Sequence, residues 1–72
     1  MPFVSIRIVR EVLAPDPAGK KHAIAVKVAT AIAEATGLPA TDVSIVFEEV
    51  EARDWYVGET DVETLRRKVK AG

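Results

Sequence analysis

The chain has 72 residues, 49% of them hydrophobic, with no cysteine, one histidine and a net charge of −1. That length allows one small domain over residues 1–72, and the composition excludes a disulfide framework and leaves a structural zinc site no cysteine and a single histidine, His22. The charge balance lacks the basic face that a nucleic-acid binder needs, and no apolar run approaches the ~20 residues that cross a bilayer.

A strand is expected over residues 2–9. Val4, Ile6 and Ile8 alternate there with Phe3, Ser5, Arg7 and Val9. Arg10 to Pro15 reads as a loop. Asp16-Pro17 then starts a helix, with Asp16 as N-cap and Pro17 at the first helical position. The helix should run to Thr36, stop at Gly37 and be followed by Pro39. Ile24, Val28, Ile32 and Ala35 share one face. Leu38 to Asp42 is a tight connection of about one 3₁₀ turn. A second strand follows over Val43–Val50, rich in β-branched residues. Strand, helix and strand in succession make a βαβ unit with parallel strands and a right-handed crossover. Residues 52–58 read as a turn and short hairpin, and Thr60-Asp61-Val62-Glu63 has the spacing of a capping box. A short C-terminal helix follows, with Val62, Leu65 and Val69 on one side. The fold class is α+β.

Side chains alternate along a strand, so Val46 and Phe47 face opposite ways and both faces of the second strand are apolar. One helix covers one face. A domain this small buries only about 60% of its unfolded surface. With no disulfide or zinc to staple it, cover by a neighbouring subunit is expected.

Groups for conventional catalysis are few. His22 lies among lysines as a solvated helix residue, and Ser5 and Ser44 have no histidine beside them. The run Glu48-Glu49-Val50-Glu51 reads as a solvated strand end, and Arg66-Arg67-Lys68 complements the dipole of the last helix. What remains is Pro2, Arg7, Arg10 and Trp55. Once Met1 is removed, Pro2 offers a secondary amine. A free α-amine titrates at roughly 7.7–8.0. Burial or a nearby cation brings it toward neutrality and makes it a base or nucleophile. Arg7 has the opposite strand parity from Pro2. Arg10 shares the parity of Pro2 but lies some 25 Å along the strand at roughly 3.3 Å per residue. A site combining them joins residues of different subunits. Trp55, in the hairpin beside Arg53 and Tyr56, supplies an apolar wall or an interface anchor.

Met-Pro before a strand, a helix closing in Gly37-Leu38-Pro39, a second strand, Glu48-Glu49-Val50 and Trp55-Tyr56-Val57-Gly58 follow one another in this chain. In that order they resemble the 4-oxalocrotonate tautomerase family over nearly the whole length. The resemblance implies a β-α-β protomer that pairs into dimers and assembles as a hexamer, a trimer of dimers. It implies Pro2 as the catalytic amine, moving a proton in enol or dienol 2-oxo acids without a cofactor. Arginines hold the substrate carboxylate in such enzymes, and an aromatic residue lowers the proline pKa. Trp55 falls at that aromatic position. Where family members carry Gly-Arg after the first strand, this chain reads Arg10-Glu11-Val12-Leu13. Ser44 stands where many have an arginine.

The expectation is a cytoplasmic tautomerase acting on a small carboxylate, with Pro2 catalytic and Arg10, Arg7 and Trp55 binding substrate, and with no nucleic-acid or membrane partner. The alternative is a catalytically weak or inactive relative that serves as a binding or structural subunit of a homo- or hetero-oligomer.

Overall fold

A computed structural model describes residues 1–71, with side chains described through Lys68. Strand β1 (Phe3–Val9) and strand β2 (Ser44–Val50) lie side by side and parallel, in a register that pairs Phe3 with Ser44, Arg7 with Glu48 and Val9 with Val50. Helix α1 (Pro17–Thr36) makes the crossover between them. The sequence reading places both strands within one residue of their ends and the helix at its observed bounds.

The helix begins where capping chemistry puts it. Asp16 accepts a hydrogen bond from the Gly19 amide through Oδ1 at 3.1 Å, and Pro17, which has no N–H to satisfy, takes the first position. It ends at Gly37, whose backbone is left-handed at φ +80° and whose amide donates to Ala33 O at 2.8 Å. L-residues with a Cβ rarely adopt that φ, and glycine does so without a Cβ penalty. Ile24, Val28 and Ile32 are half-buried against the sheet, interleaved with Ala25, Ala29 and Ala33. Ala35 is exposed, contrary to the expected stripe. A helical face drifts by the last turn, and Ala33 occupies the sheet side there instead.

Arg10 to Leu13 is not an open loop but a 3₁₀ turn, and its Leu13 is, among the described residues, one of two buried apolar residues, each 1% exposed; the other is Ala52. A second 3₁₀ turn (Ala40–Asp42) leads into β2, and a third (Ala52–Asp54) leaves it. Strands β3 (Tyr56–Val57) and β4 (Thr60–Asp61) form the antiparallel hairpin. Gly58 has φ +65° and, among the described residues, no non-glycine residue has a positive φ, the pattern of a type II′ turn at Gly58-Glu59. Helix α2 (Val62–Ala71) packs against the third 3₁₀ turn. Its cap is Asp61, not Thr60. Asp61 accepts from the Thr64 amide at 3.1 Å and from the Thr64 hydroxyl at 2.7 Å, while Thr60 is held in β4. The expected role of the Val69 side chain lies outside the described residues.

Burial alternates along both strands. Val4, Ile6, Ile8, Ile45 and Phe47 face the helix, while Phe3, Ser5, Arg7, Ser44, Val46 and Glu48 face away and are exposed. Phe3 keeps 67% of its surface and Val46 44%. The helix therefore covers one face of the two-stranded sheet, and the other carries open apolar surface.

Candidate active site

Trp55 is positioned by backbone alone. Its amide donates to Ala52 O at 3.2 Å, and its carbonyl accepts from the Val62 amide at 2.7 Å. The turn that delivers it is held in place by Glu11, which accepts from the Ala52 amide through Oε1 at 2.9 Å. The side chain of Trp55 is half-buried and borders a cleft of about 260 Å³ with Arg7, Val50, Asp54 and Tyr56. Arg7 reaches this cleft because its odd strand position puts it on the face away from the helix. Its Nε donates to Glu48 Oε2 at 3.2 Å, straight across the strand register.

Arg10 is engaged differently. It pairs with Glu49 at 3.5 Å and with Glu51 at 3.2 Å. Lys21 also reaches Glu49, and Arg53 pairs with Glu51 at 2.7 Å. The hydrogen bond from Lys21 and the charge of Arg10 hold the Glu49 carboxyl below its ordinary range despite partial desolvation. Glu51 holds the Arg53 guanidinium above its ordinary range, with Asp54 adding to the effect. The acidic run is thus not a bare solvated strand end. Glu49 and Glu51 are half-buried and tie the first 3₁₀ turn, α1 and the turn after β2 into one ion-pair network.

Pro2 is at the other end of the sheet. Its carbonyl accepts from the Ser44 amide at 3.0 Å, which fixes the residue at the head of β1, while Met1 before it is 93% exposed. Pro2 and Trp55 are separated by the length of the sheet, seven residues of β2 at roughly 3.3 Å each. One chain therefore brings Arg7 and Trp55 together and keeps Pro2 and Arg10 apart from that pair. His22, Ser5 and Ser44 are exposed. Among the described residues no group of three His, Asp or Glu side chains could hold a metal ion, and no helix is long and apolar enough to cross a membrane. Sequence reasoning overlooked Asp54 as a cleft residue and Glu11 and Lys21 as organisers. Asp54 sits next to Trp55 and was within reach of a local argument. Glu11 and Lys21 act across 41 and 28 residues, where no local pattern points.

The parallel β-α-β unit with its hairpin and short helix is an α+β tautomerase fold. Solved relatives of this fold include a chain from work on the 4-oxalocrotonate tautomerase isozymes of Methylibium petroleiphilum, 26% identical, with 89% of this chain covering 97% of that one at a TM-score of 0.75. DmpI from Helicobacter pylori superposes at a TM-score of 0.79, with 21% identity over 92% of this chain and 97% of its own. No protein of curated function matches. The family model described as "Tautomerase enzyme" matches residues 2–65, so the chain belongs to the tautomerase family.

Proposed function

We propose that this chain is a small oligomeric tautomerase, one domain over residues 1–72, whose base is the nitrogen of Pro2. The observation that carries the proposal is the way Pro2 is held. Its carbonyl is anchored in the sheet by Ser44, while the residue that blocks its nitrogen, Met1, is 93% exposed. Loss of Met1 removes an almost fully exposed residue and leaves a fixed secondary amine. In its neutral form that amine accepts the hydroxyl proton of an enol or dienol 2-oxo acid. As the electron pair moves through the conjugated system, it returns a proton to carbon. The product is the keto isomer, and nothing is oxidised or reduced.

Arg7 holds the substrate carboxylate, because its guanidinium lines the cleft beside Trp55. The apolar wall of Trp55 disfavours the charged form of an amine brought against it. The distance between Pro2 and Trp55 within one chain requires that the Pro2 of one copy meet the cleft of another. The open apolar face with Phe3 and Val46 gives such copies a surface to share. The family likeness supports a hexamer of three dimers in the cytoplasm.

A second reading is favoured by the arginines. Arg10 is already neutralised by Glu49 and Glu51, and Ser44 stands at the head of β2. A relative of weak activity, serving as a binding or structural subunit, has the same fold and lacks a second carboxylate-holding cation.

Intact mass establishes whether Met1 is removed. With Pro2 free, Pro2→Ala should lower ketonisation of a 2-hydroxydienoate or of phenylenolpyruvate by about 10²–10⁴-fold, the usual worth of a positioned base. The oligomer should persist. Unchanged turnover in that variant sinks the enzymatic reading, and retained Met1 in the working protein supports the second.

A further inference from the structure

The cleft beside Trp55 has a volume of about 260 Å³, below the roughly 300–1,000 Å³ of sites for drug-sized ligands, so it suits a small molecule. Its lining divides by chemistry. Trp55, Tyr56 and Val50 offer apolar and aromatic surface, Arg7 one positive charge and Asp54 one negative charge. Arg7 has one hydrogen-bond partner among the described residues. That bond leaves from Nε to Glu48, on one edge of the guanidinium. The two Nη groups can meet a carboxylate with parallel hydrogen bonds.

Among the described residues of one chain no other cation lines the cleft. Arg10 is paired with Glu49 and Glu51, and Arg53 with Glu51. A ligand whose first carboxylate sits on Arg7 would therefore carry a second one into a cleft whose remaining charge is Asp54. Glu48 adds negative charge at the Arg7 end. Like charges held within one small cleft cost about a factor of ten or more in affinity.

We propose that this cleft selects planar, unsaturated monocarboxylates over the corresponding dicarboxylates, with Asp54 as the discriminating residue. The inference deepens the proposed function and rests on it for treating the occupant as substrate. The selectivity itself is a property of binding and is measured without turnover.

The test uses a pair of unreactive acids that differ by one terminal group, sorbate (a methyl end) and muconate (a carboxylate end). Binding to the assembled protein is followed by the fluorescence of Trp55, the one tryptophan of the chain. Sorbate should bind about tenfold more tightly than muconate. Asp54→Asn should narrow that ratio by tightening muconate and leave sorbate nearly unchanged. Arg7→Gln should weaken both. Asp54→Ser serves as a second neutral variant should the asparagine disturb the turn. Equal affinity of the two acids, or a ratio indifferent to both Asp54 variants, overturns the proposal. A preserved ratio with full activity in Pro2→Ala leaves the selectivity standing and removes the tautomerase mechanism. A lost ratio with Pro2→Ala inactive does the reverse.

Discussion

Leu13→Ala should be the most damaging single truncation in the described part of the chain. Leu13 is 1% exposed and belongs to the first 3₁₀ turn, which packs against β1 and α1. The substitution removes three buried carbons, worth about 0.8 kcal/mol each by transfer, or about 2.4 kcal/mol together. The cavity left behind brings the expected loss to about 3–4 kcal/mol, inside the 2–5 kcal/mol range of such changes. A chain of this length has about 4–11 kcal/mol of stability in all. One kcal/mol corresponds to about 4–8 °C in a domain this small, so the melting temperature should fall by at least about 12 °C. Thermal unfolding by circular dichroism, with Trp55 fluorescence as a second probe, measures the shift. Protein concentration is held fixed because assembly contributes to stability. Val12→Ala is the control: Val12 is 44% exposed, and its truncation should cost under about 1 kcal/mol. Equal shifts for the two variants would refute the claim that Leu13 is a closed core position of this protein.

Gly37→Ala should cost about 1–2 kcal/mol, because φ +80° is strained for any residue with a Cβ. An added Cβ meets nothing within 4 Å, so the penalty is backbone strain, and a urea midpoint that does not move would contradict it. Asp61 and Glu49 should both make stability acid-sensitive. The Thr64 hydroxyl and amide hold Asp61 below its ordinary value of 3.8, and Lys21 holds Glu49 below 4.5. A lowered folded pKa gives stability that is complete above the unfolded value and drains as pH falls through the folded one. Asp61→Asn combined with Glu49→Gln should therefore lower stability at neutral pH and flatten its decline below about pH 5. An unaltered acid slope would show that these carboxylates do not govern it.

The order β1, α1, β2, hairpin, α2 was legible in the residues, because each element announces itself locally. Strand alternation has a period of two, Asp16-Pro17 can start a helix, and Gly37 can end one in the left-handed region. Pro2 and Trp55 were legible as candidates for a similar reason: each is chemically singular in the chain, and the order of motifs around them is that of the tautomerase family. The partners of those candidates were not legible. Arg7 and Arg10 look alike in sequence, three residues apart at the end of one strand. The parallel register sets Arg7 opposite Glu48 on the open face, next to Trp55. The 3₁₀ turn at Arg10 carries the second arginine toward Glu49 and Glu51. Likewise, Leu13 looked like part of a loop, and only the packing of its 3₁₀ turn against β1 and α1 made it core. Local geometry depends on dihedral preferences and caps within a few residues. Charge pairing and closed burial depend on which distant segments the sheet brings together, and that was decided by tertiary packing alone.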